Sequence, residues 1–174
     1  MVVLETGRLI VRHFHVCDAE AMDTVFGDAE VMRFEPGVQT KQWVRDWLCG
    51  CLENYYKKWG FGRWALVEKS SWRTIGYCDL FYFEDIGGQS EIEIGYRLAR
   101  RYWGKGYATE AVLAVRDYGF GTLCMARLIS MIDSQNAACI RVAEKAGMHH
   151  EKDVMLEGYS NSARVYAIAR PGGG

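Results

Sequence analysis

Between Arg100 and Ala111 the chain reads RRYWGKGYATEA, with two glycines flanking a lysine. An alternating apolar run (IEIGYRL) precedes it and a patterned one (ATEAVLAVRDYG) follows, so the glycines fall between an expected strand and an expected helix. Residues without side chains at a helix N-terminus leave backbone N–H groups open, and the helix dipole there favours an anion. Arg100, Arg101 and Lys105 add local positive charge that a turn serving only to change direction would not need. The stretch suits a diphosphate. Two other phosphate motifs do not fit it. In GKGYAT the third glycine of a dinucleotide fingerprint is Thr109, and the preceding chain is a meander rather than an opening βαβ unit. A Walker-type loop would need a four-residue spacer and a Lys-Ser/Thr pair.

Glu91 and Glu93 lie two apart on the strand that feeds this loop, and therefore on one face of it. From there a carboxylate can look into a cleft and move a proton, or simply pair with a neighbouring arginine. Six cysteines, Cys17, Cys49, Cys51, Cys78, Cys124 and Cys139, raise the question of disulfides or a metal. No CxxC pair or Cys/His cluster exists, and Cys49 and Cys51 point to different faces of one expected helix. Reduced thiols and no metal site are expected.

The elements that must position these groups are readable from periodicity. RLIVRHF alternates as a strand, and Asp18 is the expected N-cap of a short helix, AEAMDTVF. After Pro36 and Gly37, KQWVRDWLCGCLENYYKKW reads as a helix with Trp43, Trp47, Leu48, Cys51 and Tyr55 as its core stripe. GRWALVEK, TIGYCDLFYF and SEIEIGYRL read as an antiparallel meander, with Gly87 and Gly88 in the second turn. The helix after Gly106 turns Ala108, Ala111, Val112, Val115 and Tyr118 inward; ARLISMI follows as a strand, and SQNAACIRVAEKAG as a helix closed by Gly147 at C′. HEKDVMLE and ARVYAIA pair around GYSN, and PGGG is an expected disordered tail. The predicted fold class is mixed α/β, an α+β sheet with an antiparallel front half.

Composition narrows the setting. At 174 residues, 49% hydrophobic and 25% charged, one globular domain over residues 1–170 is expected. Lys plus Arg total 21 against 22 Asp plus Glu, so no global field recruits nucleic acid. No apolar run approaches the roughly 18 residues that span a bilayer, and the N-terminus lacks a signal peptide's apolar core. A cytoplasmic protein without membrane or nucleic-acid partners is the expectation.

Arg101-Tyr102-Trp103-Gly104-Lys105-Gly106 resembles the R/Q-x-x-G-x-G/A signature of the GCN-related N-acetyltransferase (GNAT) superfamily. LETGRLIVRHF with Asp18-Ala19, EIGYRL, YWGKGYATEA and SQNAACIRVAEKAGM are similar to its ribosomal-protein N-terminal acetyltransferase branch, so the resemblance runs from Leu4 to about Ala169. It implies a central, mostly antiparallel sheet flanked by helices and splayed between the EIEIGYRL and ARLISMI strands, strands 4 and 5 of the family. The pantetheine arm of acetyl-CoA would enter that gap like an extra strand. The resemblance implies Tyr96, Leu98, Arg101, Trp103, Gly104, Lys105, Gly106, Tyr107, Ala108, Thr109 and Asn136 as cofactor-binding residues, and a backbone N–H near Ile94 to Tyr96 for the oxyanion.

Acetyl transfer from a thioester to an amine needs an unprotonated amine, an oxyanion site and a proton for the departing thiolate. Glu93, in the EIGY run, is the expected base, directly or through water, with water-relayed Glu91 as the other candidate. Asn136 and position 139 match the family's N-x-x-S motif with Cys139 in place of serine, and the tyrosine some relatives carry seven residues after the asparagine is Ala143 here. A thiol, with an ordinary pKa of about 8.5, can donate that proton. Cys139 can equally be a packing residue; an acetyl-cysteine route would need an activating base, and no histidine is near in sequence.

Acceptor walls are expected at Arg33 to Thr40, Trp64, Tyr82 and Glu157 to Asn161, with Glu35, Glu84 and Glu157 able to attract a cationic amine. The expected activity is direct acetyl transfer, in a ternary complex, from acetyl-CoA to a primary amine of a protein or peptide N-terminus or of a small molecule, by a monomer or homodimer. A catalytically silent acyl-CoA-binding or sensor domain is the alternative, and a nucleotide-binding protein fits the motifs less well.

Overall fold

The computed structural model describes residues 1–159 and 161–172, apart from the side chains of residues 53 and 54. Ser160 of the expected GYSN turn, and Gly173 and Gly174 of the expected tail, lie outside the described residues. Eight strands form one sheet: β1 (Val2–Glu5), β2 (Leu9–Arg12), β3 (Arg63–Glu68), β4 (Arg73–Phe83), β5 (Glu91–Leu98), β6 (Arg127–Asp133), β7 (His149–Val154) and β8 (Ala163–Ala169). Their spatial order is β1-β2-β3-β4-β5-β6-β8-β7. Every neighbouring pair is antiparallel except β5 and β6, which are parallel and share a single registered pair, Glu93 with Ile129. The sheet therefore parts where the family resemblance implies a splay.

Period-two alternation gives β4 and β5 two different faces. Tyr77 stacks with Phe26 of α1 (Ala19–Phe26) and lies against Trp47 of α2 (Lys41–Gly50). On the other face Leu80 and Leu128 pack beneath Gly119 of α4 (Tyr107–Gly121), and Trp64 is buried edge-on against Tyr118. Helix α5 (Ala137–Lys145) joins α4 there, and Gly147 follows it in the left-handed conformation, as expected.

Two expectations about helices are corrected. The run from Lys41 to Trp59 is helical throughout, but a π segment, Cys51–Tyr55, interrupts it before α3 (Tyr56–Trp59). The widened turn carries Tyr55 and Tyr56 to different targets: Tyr55 accepts the Tyr82 N–H, and Tyr56 bonds the Arg63 carbonyl. Val44, Leu48 and Cys51 form the buried stripe, while Trp43 is exposed, edge-on to Phe26 and stacked on Trp47.

Asp18 stands at the N-cap position of α1, yet its side chain caps nothing there. Its buried carboxylate accepts from Arg12 at 2.7 and 2.8 Å, from Thr74 Oγ1 at 2.6 Å and from the His15 N–H at 2.7 Å, so it ties β2, β4 and the entry to α1 together. Burial alone would raise its pKa; the Arg12, Thr74 and His15 bonds outweigh that and hold it below the usual carboxylate value. Stability from such a group is present above the unfolded-state pKa and is lost as pH falls through the folded one. Asp18→Ala is expected to cost about 3 kcal/mol at pH 7 by leaving Arg12 without its buried partner. In urea titrations the difference from the unaltered protein should shrink below about pH 4; a difference independent of pH would place the loss elsewhere.

Candidate functional site

The strand β5 carries the chain into the glycine loop through a short turn at Arg100–Tyr102. Gly104 and Gly106 have φ of +72° and +80°, a left-handed conformation that side chains disfavour, and α4 starts at Tyr107 with Ala108 and Thr109 in its first turn. Two such residues around Lys105 make a concave run of backbone N–H groups at the positive end of a 15-residue helix. The Lys105 ammonium and the Arg101 guanidinium both lie over the Tyr102 ring, at 5.5 and 5.0 Å. Trp103 is half-exposed and donates its indole N–H to the Leu98 carbonyl at 2.8 Å, which fixes the end of β5 to the loop. Arg100 and Arg101 also line an open groove against Thr24 and Asp28.

Where β5 and β6 part, side chains take over from the ladder. Ser130 Oγ donates to the Ile94 carbonyl at 2.8 Å, and the Met131 N–H donates to Glu93 Oε1 at 3.0 Å. Glu93 thus sits in the gap itself. Burial pushes its pKa up to about 8, helped by the negative charge of Asp79. Glu91 shares the face but not the setting: its buried carboxylate is paired with Arg127 at 3.0 Å, and Arg127 also holds Glu151. The structure therefore separates the two glutamates, leaving Glu93 alone at the opening.

On the α4–α5 face of the gap, Asn136 is the N-cap of α5 and accepts the Cys139 N–H at 3.2 Å. Cys139 is half-buried, and burial raises its pKa, so the thiol stays protonated at neutral pH. Beside it lies the Tyr96 hydroxyl, buried and without a regular hydrogen bond among the described groups. Tyr96, Asn136 and Cys139 are thus brought together, with Leu98 buried further along the strand.

The opposite face holds charges in an apolar surrounding. Asp79, on β4, accepts the Gly95 N–H at 2.8 Å and bonds Arg63 Nε at 3.2 Å. A side chain at residue 95 would put its Cβ 2.4 Å from Asp79 Oδ1, so this contact requires glycine. Arg97 is paired with Glu35, whose other oxygen accepts from the Tyr159 hydroxyl at 2.7 Å. Next to that bridge a cavity of about 210 Å³ is lined by Phe34, Glu35, Pro36, Asp133, Gly158, Tyr159 and Asn161. Of the expected acceptor walls, Phe34 to Pro36 meet Gly158, Tyr159 and Asn161 here; Trp64 is core under α4, and Tyr82 stacks on Trp59. Asp79, Arg63 and Arg97 were not singled out from sequence, although a charge set inside an apolar strand run was signal enough for them, and Tyr159 falls within the expected 157–161 wall. Among the described residues no group of three or more His, Cys, Asp or Glu is placed to hold a metal, and no helix is long and apolar enough to cross a membrane.

A mixed sheet parted beside a glycine-opened helix is the arrangement of the acyltransferases that the sequence resembles. The chain belongs to the GNAT acetyltransferase family: residues 8–149 match its "Acetyltransferase (GNAT) domain" profile. It is 37% identical over 152 residues to "Uncharacterized protein YkkB" of Bacillus subtilis (strain 168), covering 87% of each chain. The solved acetyltransferase (GNAT family) from Bacillus anthracis superposes with a TM-score of 0.80 at 27% identity, over 98% of this chain and 99% of that one. The ribosomal-protein-S5-alanine acetyltransferase from Vibrio fischeri shares the fold, with a TM-score of 0.80 at 18% identity over 99% and 98% of the two chains.

The Glu93 carboxyl is expected to titrate near pH 8 when followed by carbon NMR in the ligand-free protein. Asp79→Asn removes a like charge and should move that midpoint down; an unmoved midpoint would assign the whole shift to burial.

Proposed function

We propose that the protein is an acetyl-CoA-dependent N-acetyltransferase that moves the acetyl group directly to a primary amine in a ternary complex. The observation that carries this reading is Glu93, a raised-pKa carboxylate in the gap between β5 and β6, on the strand that leads into the glycine loop. The loop N–H groups of residues 104–109, with Lys105 and Arg101, receive the diphosphate. Pantetheine lies along β5 past Leu98 and Tyr96, with Asn136 at its end. Glu93 takes the proton from the attacking ammonium, the amine nitrogen forms its bond to the thioester carbonyl carbon, and a β5 backbone N–H near Ile94 to Tyr96 stabilises the oxyanion. As the C–S bond breaks, Cys139 gives its proton to the departing thiolate, and the second proton shed by the newly bonded nitrogen restores the Cys139 thiol. The amine enters from the α1–α2 side, where Glu35 and Asp133 border the cavity and favour a cationic head group.

Thermal unfolding with CoA, acetyl-CoA, ATP and NAD tests the donor. A ligand at 100 times its Kd stabilises by about 2.7 kcal/mol, a shift of a few degrees at this size. CoA and acetyl-CoA should shift the midpoint and ATP and NAD should not. Release of free CoA thiol over a panel of amines then separates an enzyme from a silent acyl-CoA-binding domain, which would bind without turnover.

Glu93→Gln is expected to lower kcat/KM by about 10²-fold or more. In the unaltered enzyme kcat/KM should rise with pH up to about 8, because the base is the ionised form present above that value. Near-normal turnover by Glu93→Gln would remove it from the mechanism. Cys139→Ser and Cys139→Ala divide the acid's role: retained turnover in serine alone keeps a proton donor at this position, and retained turnover in both makes it packing.

A further inference from the structure

The turn between β1 and β2 is folded against the glycine loop, and its residues have no part in the chemistry above. Glu110, in the first turn of α4, gathers Thr6 Oγ1 at 2.5 Å, the Arg8 N–H at 2.9 Å and Arg8 Nε at 2.6 Å. The same guanidinium lies 4.4 Å over the Tyr107 ring, and its Nη1 donates to the Lys105 carbonyl at 2.9 Å. The Gly106 carbonyl accepts the Glu110 N–H at 3.0 Å. Both carbonyls at the crest of the loop are therefore bonded to the protein. An anion cradle depends on that, because a carbonyl oxygen swung toward a diphosphate would repel it where an N–H should face it.

Charge adds a second requirement. A carboxylate in the first turn of α4 stands near the place where an anion would bind. Burial would raise the pKa of Glu110, but the Thr6 and Arg8 bonds overcome this and keep it ionised, so its charge must be met by a cation. Arg8 Nη2 lies 2.6 Å from Glu110 Oε2. Lys69, bonded to the Thr6 carbonyl at 2.7 Å, steadies the turn from below.

We propose that Arg8 and Glu110 form a clamp that sets the cofactor loop, with Arg8 a positioning residue that holds the Lys105 carbonyl away from the diphosphate and neutralises Glu110. The inference rests on the diphosphate reading of the glycine loop. Because the Arg8 side chain is 48% exposed, the ion pair adds little to folding stability. Its effect falls on donor affinity.

The test is CoA titration calorimetry and steady-state kinetics on the full chain carrying Arg8→Met or Arg8→Lys. Arg8→Met should weaken CoA and raise KM for acetyl-CoA about tenfold, the scale of one lost loop hydrogen bond, with kcat and the amine KM within about twofold. Arg8→Lys keeps the charge but cannot grip Lys105 and Glu110 together, and should remain well short of full affinity. Unchanged CoA affinity in Arg8→Met, or full rescue by lysine, would overturn the clamp. If Arg8→Met also loses its ligand-free melting transition, Arg8→Lys decides, since it keeps the charge beside Glu110 without the bond to the Lys105 carbonyl: a several-fold loss of CoA affinity is expected, and none would overturn the proposal. An unaltered protein that fails to bind CoA would sink the diphosphate reading and the clamp with it, whereas normal CoA binding by both the unaltered protein and Arg8→Met would sink the clamp alone.

Discussion

The parting of β5 from β6 is the constraint on which the rest of the site depends. A parallel pair normally continues through evenly spaced backbone bonds, and interior N–H and C=O groups that lose their ladder must find other partners. Here one registered pair, Glu93 with Ile129, holds the two halves of the sheet together. Beyond it Ser130 Oγ reaches the Ile94 carbonyl and the Glu93 carboxylate reaches the Met131 N–H. These side chains are longer than a backbone bond, so they can span a widening gap. Glu93 is consequently both a strut of the sheet and an acid lodged where solvent is scarce, and its raised pKa is a result of the same geometry.

Alternation along β5 then sorts the chemistry between two sides. Ile94, Tyr96 and Leu98 turn toward α4 and α5, where Asn136 and Cys139 wait; Glu93, Gly95 and Arg97 turn toward α1 and α2, with Asp79, Arg63 and Glu35. A donor lying along the first side and an amine arriving from the second would meet only through the gap. One strand of eight residues can do this because its period is two and its neighbour has withdrawn.

The fold was legible in the sequence wherever local periodicity decides structure. The meander from Arg63 to Leu98, the strand of Arg127–Asp133 and both later helices follow their apolar patterns, and Gly104 and Gly106 announced the loop through the backbone freedom they supply. What stayed hidden depends on partners distant in the chain. Asp18 looked like a helix cap, but a bidentate arginine and a threonine 56 residues away outbid the helix N-terminus for its carboxylate. Glu91 and Glu93 are equivalent by spacing, and only the position of Arg127, 36 residues on, tells them apart. The π segment left an unbroken helical pattern because one extra residue per turn shifts a stripe without erasing it. Arg8 was part of a readable strand run, and nothing local says that its guanidinium crosses to a loop 97 residues later.

A raised pKa at Glu93 has a cost and a return that can be weighed. An amine acceptor resembling lysine holds its proton with a pKa of about 10.4, so passing it to an ordinary glutamate at about 4.3 is uphill by roughly 8 kcal/mol. With the glutamate at about 8, the same transfer is uphill by only about 3 kcal/mol. Against this, about one molecule in ten carries the ionised carboxylate at pH 7, a loss of roughly 1.4 kcal/mol. The gain outweighs the loss. Under the proposed role, burying the carboxylate in the gap, with Asp79 as a second negative charge behind it, would favour deprotonation of an amine beside it, while ordinary solvation of the same residue would leave the proton on the nitrogen.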